Sequence, residues 1–95
     1  MIFHVQMDVA LPAGLDPQRR DELLAAEKKL ALQLQHDGIW LHLWRVAGKR
    51  SNISIFEVPD ADALHGILSS LPLFPFMQIE VTALAQHPSS VEAQS

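Results

Sequence analysis

Glu27 is an ionisable residue at a position where helical spacing asks for an apolar one. Over residues 16–37, at about 100° per residue, Leu23, Leu24, Leu30, Ala31 and Leu34 fall on one stripe with Glu27 near its middle. A carboxyl group turned toward a core loses hydration, which disfavours its charged form and raises its pKa toward the range where protons exchange near neutral pH. Such a group suits general acid/base chemistry. The competing expectation is structural: Glu27 bends to the edge of the stripe and pairs with Lys28, Arg20 or a strand arginine, and the residues alone leave both open.

A second group of chemically capable residues sits further along. The two-residue period of a strand puts Trp40, His42 and Trp44 on one face and Arg45 on the other. An imidazole between two indoles is either a polar group lining an apolar pocket or a hydrogen-bonded interface histidine, and a catalyst needs convergent partners. Arg45 carries the planar fork that clamps a carboxylate, or else pairs with Glu27 or Glu57. In Leu71-Pro72-Leu73-Phe74-Pro75-Phe76 two rigid prolines present two aromatic rings, suited to a pocket wall or a subunit contact.

Composition removes several alternatives. With no cysteine there is no disulfide, thiolate nucleophile or Cys-ligated metal, and with no tyrosine there is no phenolic acid. His4, His36, His42, His65 and His87 lack the paired spacing of metal ligands, and four isolated glycines form no phosphate-cradling loop. A metal site is therefore not expected, and a nucleotide-binding reading falls. Eleven acids against seven scattered bases, a net charge of -4, argue against a nucleic-acid partner. Residues 1–8 lack a basic n-region and an uninterrupted apolar h-region, and nowhere do about 18 apolar residues run together, so a soluble, cytoplasmic protein with no membrane partner is expected. Asn52-Ile53-Ser54 matches a glycosylation sequon only by chance in that setting.

These residues need elements to hold them. Phe3, Val5, Met7 and Val9 alternate with Ile2, His4, Gln6 and Asp8, as in a half-buried strand. Asp16-Pro17 opens a helix and Gly38 closes it. Strands are expected over 40–46 and 53–58, joined by a turn at Gly48-Lys49-Arg50. Asp60 caps a second helix bearing Leu64, Ile67, Leu68 and Leu71, which Pro72 stops, and alternation from Met77 to Leu84 marks a fourth strand before a tail at 86–95. The order βαββαβ in a single 95-residue domain predicts an α+β, ferredoxin-like sandwich: a four-stranded antiparallel sheet with two helices on one face. Hydrophobic residues make up 48% of the chain and the second strand is apolar on both faces, so the open sheet face is expected to be covered by another subunit.

In combination these runs are specific. Phe3-His4-Val5-Gln6-Met7-Asp8-Val9, Glu27-Lys28, Trp40-Leu41-His42-Leu43-Trp44-Arg45, Asn52-Ile53-Ser54-Ile55-Phe56, the run from Leu68 through Leu71-Pro72-Leu73-Phe74-Pro75, and His87-Pro88-Ser89-Ser90 closely resemble the muconolactone Δ-isomerase family over nearly the whole chain. Phe76 is a departure, standing where tyrosine is common in the family. The resemblance implies a cofactor-free enzyme of the 3-oxoadipate pathway of aromatic breakdown, assembled as a homodecamer. Its small-molecule substrate would be a five-membered unsaturated lactone bearing an acetate side chain. A proton would move from the γ to the α carbon through a dienolate, giving 3-oxoadipate enol-lactone. On that footing Glu27 is the expected base and His42, Ser51, Asn52 or Ser54 the expected donor to the enolate oxygen. Arg45 or Lys28 holds the acetate carboxylate, and Trp44 and Phe74 help enclose the ring. Because Arg45 and His42 leave opposite faces, both reach one substrate only through a twist, a bulge or a neighbouring subunit. Two other functions fit the same pattern: chloromuconolactone dehalogenation on the same fold, and a non-catalytic oligomeric ligand-binding module in which Glu27 is a structural ion pair.

Overall fold

Alternation in the first strand sets the layering. In the computed structural model, which describes residues 1–94, Phe3, Val5 and Met7 of β1 (Ile2–Val9) are buried while Ile2, His4, Gln6 and Asp8 are only partly covered. α1 (Pro17–His36) follows, then β2 (Trp40–Arg45), β3 (Ser51–Glu57), α2 (Ala61–Ser70) and β4 (Met77–Leu84). The strands pair antiparallel throughout in the order β2-β3-β1-β4, which is the expected ferredoxin-like sheet. Ala31 and Leu34 of α1 and Leu64 and Leu68 of α2 join Phe3, Val5, Met7 and Phe56 in one core, so both helices cover the same sheet face.

The helix boundaries follow from local chemistry. The Asp16 carboxylate accepts from the Arg19 N–H at 3.1 Å with Pro17 in the first turn, and Gly38, at φ +74°, takes the left-handed exit that a side chain would resist. Asp60 caps α2 through the Ala63 N–H at 2.8 Å. β3 begins at Ser51, two residues earlier than its apolar pattern suggests, because the Val46 N–H to Ser51 carbonyl bond of 2.9 Å continues the hairpin to its turn. The C-terminal tail carries one short 3₁₀ segment, Val91–Gln94, that composition does not foretell.

β2 departs from strict alternation. Trp40 pairs with Phe56, yet His42 pairs with Ile55, so Leu41 is an extra residue and the strand bulges there. One additional residue exchanges the two faces for everything beyond it. Trp40, His42 and Trp44 therefore do not share a face, contrary to the sequence expectation. Trp40 is 2% exposed and stacks on Phe56 in the core at 4.8 Å, whereas Trp44 is 55% exposed and lies parallel to His42 at 5.0 Å on the outer face. Leu43 and Arg45 turn to the helix side, in register with Ser54 and Asn52.

Phe56 is fully buried where Trp40, β1 and both helices meet. Phe56→Ala should lower the unfolding free energy by about 3–5 kcal/mol in urea titration, the usual result of emptying an aromatic site in a closed core. A loss below about 1 kcal/mol would mean that the site collapses around the vacancy.

Candidate active site

The bulge determines what faces α1. Between that helix, the hairpin end of β2 and β3, and the link from α2 to β4 lies a pocket of about 380 Å³, lined among others by Glu27, Lys28, Trp40, Arg45, Asn52 and Leu73. That volume suits a small organic molecule.

Glu27 is half-buried within the α1 stripe, on the face that carries Leu23, Ala31 and Leu34. Its Oε1 accepts the Leu73 N–H at 2.9 Å, and among the described residues it pairs with no cation; the ion pair of α1 joins Arg19 to Glu22 at 3.9 Å. The structural alternative, a bond to Lys28, Arg20 or Arg45, is not made. Burial raises the Glu27 pKa above the ordinary 4.5, and the Leu73 N–H opposes that rise more weakly by stabilising the carboxylate. The donor arises from the chain's own punctuation. α2 ends at Ser70, Leu71 turns to extended backbone before Pro72, and the Phe74 and Phe76 N–H groups bond back to Leu71 and Leu73, both at 2.9 Å. Pro72 and Pro75 have no N–H, so the Leu73 N–H is left to reach across to α1.

Asn52 faces Arg45 across the hairpin. The Ser54 hydroxyl, fully buried, donates to Asn52 Oδ1 at 2.7 Å, which leaves the Asn52 amide N–H₂ as that side chain's donor. The Ser51 hydroxyl donates to the Asp8 carboxylate. Both serine protons are thus committed within the protein, so Ser54 orients Asn52 and Ser51 ties β3 to β1. Arg45 Nη1 reaches only the Lys49 carbonyl, at 3.5 Å, and Lys28 stands exposed at the pocket rim.

Three expected site residues lie elsewhere within the subunit. His42 and Trp44 are on the outer sheet face, carried there by the bulge. Phe74 packs its ring edge against His65 at 6.5 Å, away from the pocket lining. Conversely, the sequence reading missed the Leu73 N–H, Trp40 as a wall, and Arg50, which joins the lining from the hairpin turn. The antiparallel register of a hairpin closed at Gly48 contains the signal for Arg50, since it sets that residue close to Arg45. Among the described residues no group of three His, Asp or Glu side chains is placed to hold a metal ion, and no helix is long and apolar enough to cross a membrane.

A half-buried carboxylate without a counter-ion, in a pocket lined also by an amide donor and three cations, can move a proton on a carbon acid that carries its own carboxylate. Comparison with known proteins points the same way: the family model described as muconolactone delta-isomerase matches residues 1–90. The chain belongs to the muconolactone Δ-isomerase family. This isomerase is 52% identical over 93 residues to the Pseudomonas aeruginosa muconolactone Delta-isomerase, covering 98% of the chain and 97% of the relative. It is 54% identical over 91 residues to the Rhodococcus opacus enzyme, covering 96% and 98%. It superposes on a crystal structure of muconolactone isomerase with a TM-score of 0.91 at 54% identity, covering 96% of this chain and 95% of that one.

The raised Glu27 pKa has a consequence for stability. The folded isomerase holds the Glu27 proton more tightly than the unfolded chain does, so this residue's contribution falls as pH rises from the unfolded value of 4.5 toward the folded one. Glu27→Gln stays neutral and keeps an oxygen for the Leu73 N–H. It should therefore unfold at higher urea concentration than wild type at pH 7, with the advantage gone below about pH 4. A less stable variant at pH 7 would mean that the carboxylate holds the fold together.

Proposed function

We propose that Glu27 is the base with which this isomerase takes the γ proton of muconolactone and returns it to the α carbon on the same ring face. The observation that carries this is the raised pKa of an unpaired carboxylate inside a pocket of substrate size. Loss of the γ proton spreads charge through a dienolate to the lactone carbonyl oxygen. The Asn52 amide, oriented by Ser54, is the donor from within the subunit, and one well-placed donor of this kind contributes about 2.7–4 kcal/mol to the barrier. Arg45 and Lys28 hold the acetate carboxylate, and Trp40 and Leu73 wall the ring. His42 and Trp44 belong instead to a contact between subunits, or reach a neighbour's pocket from the outer face.

That outer face supports self-association. Trp44 and Leu84 are 55% and 44% exposed there, alongside half-covered Ile53 and Ile55. We take the working form to be a closed homo-oligomer, a decamer by family resemblance, acting in the cytoplasm on the 3-oxoadipate route without nucleic acid, membrane or cofactor. The mostly exposed tail, including His87-Pro88, then lies against a neighbouring subunit.

Followed by ultraviolet absorbance on muconolactone, Glu27→Gln should lose about 10²–10⁴ in kcat while folding and assembling normally. Glu27→Asp should retain more, although a displacement of about 1 Å can itself cost around 10². In deuterated water the wild type should place less than one full deuterium at the α carbon, because one carboxylate carries the proton across. Wild-type activity in Glu27→Gln would make Glu27 structural.

The assembly is checked by mass. The native protein should sediment far above its 10.6 kDa chain mass, and Trp44→Glu should shift it toward smaller species. A monomeric wild type in dilute solution would refute the interface.

A further inference from the structure

We propose that Arg20, Arg45 and Arg50 form a carboxylate corridor that conducts a small organic anion along a surface groove to the Glu27 pocket. Arg45 and Arg50 line that pocket and also an adjoining depression of about 290 Å³, where Arg20 joins them. Arg20 and Arg50 then line a third, outermost hollow against Leu11, Pro12 and Leu15 of the β1–α1 connection. The three arginines are shared pairwise between successive hollows, so the hollows are stations along one path.

Among the described residues no acid pairs with these guanidinium groups. The backbone at each end is fixed, by the Val9 N–H to Arg50 carbonyl bond at 3.0 Å and the Arg20 N–H to Asp16 carbonyl bond at 2.9 Å. Among the described residues the Arg20 and Arg50 side chains pair with no acid, and Arg45 meets only the Lys49 carbonyl at 3.5 Å. With Lys28, four of the chain's seven basic residues gather on this groove, and Glu27 is the one acid in its lining. Converging like charges repel, and in a chain of net charge -4 such a cluster is a local reversal of sign that favours an anion. The chemistry of the walls narrows the anion further. Val9, Leu11, Leu24 and Leu73 give the groove an apolar floor, while the planar forks match a carboxylate. A hydrocarbon body with a carboxylate fits both, and inorganic phosphate fits only the rim.

The corridor rests on the proposed function in taking the Glu27 pocket as its inner end, so its test includes binding as well as turnover. Arg20→Gln/Arg50→Gln is compared with Arg19→Gln/Lys29→Gln, which makes the same change in net charge outside the groove. With muconolactone, the corridor variant should lose about tenfold in kcat/KM with kcat nearly unchanged, and its dependence on ionic strength should flatten. The control pair should match wild type, and the methyl ester of muconolactone should not distinguish the two variants. Equal losses in both pairs, or an unaltered salt dependence in the corridor variant, would overturn the corridor. Tryptophan fluorescence titration of muconolactone in a Glu27→Gln background, with Trp40 in the pocket lining, supplies the second readout. If binding weakens about tenfold on removal of Arg20 and Arg50, and inorganic phosphate at equal concentration does not compete, the corridor stands even where wild-type turnover fails and the base assignment falls with it. Unchanged binding, or effective competition by phosphate, would overturn the corridor while leaving Glu27 as the base.

Discussion

One hydrogen bond, from the Leu73 N–H to the Glu27 carboxylate, joins the two halves of this molecule at the candidate active site. Glu27 comes from the long first helix, and Leu73 from the proline-bounded link that carries the chain from α2 into β4. The bond has two opposed effects. It fixes the carboxylate against the pocket wall, and it favours the charged form that burial disfavours. Without it, a desolvated carboxyl would be more fully protonated and less useful as a base. With a full ionic partner in its place, the pKa would fall and the proton would leave too readily to be returned. A single neutral donor leaves burial dominant, and the net direction stays upward.

The bulge at Leu41 is the second constraint, and it decides which side chains Glu27 meets. Without the extra residue, Arg45 would point away from the helices and His42 toward them, making a pocket with an imidazole and no strand guanidinium. The bulge exchanges these roles. It turns the Arg45 guanidinium inward and sends the His42–Trp44 stack to the outer sheet face. One inserted residue thus divides a strand between the candidate pocket and the open sheet face, with Trp40 and Phe56 stacked in the core at the start of the strand.

The sequence discloses this fold because its signals are local and agree with one another. Asp16-Pro17 and Gly38 bracket α1, Asp60 and Pro72 bracket α2, and β1 alternates without fault, so βαββαβ follows from short-range chemistry. Glu27 was legible for the same reason, since one acid in an apolar stripe breaks a regular pattern. The face of Arg45 was not, because a bulge leaves no mark in an apolar strand whose two sides are nearly alike; Trp40, Leu41, Leu43 and Trp44 satisfy either phase. Leu73 was hidden for another reason. Its contribution is a backbone N–H, common to every residue except proline, and only the surrounding prolines hint that it is spare.

The basic residues show how folding can reverse a compositional inference. Spread along the chain, Arg20, Lys28, Arg45 and Arg50 look like solvated charges on an acidic protein. Antiparallel pairing brings Arg45 and Arg50 together across a tight hairpin, and the return of α1 over the sheet sets Arg20 and Lys28 beside them. The resulting field opposes the net charge of the molecule in the region that leads to Glu27. An anion approaching this acidic protein meets repulsion over most of its surface, and the clustered cations of the groove offset that repulsion locally.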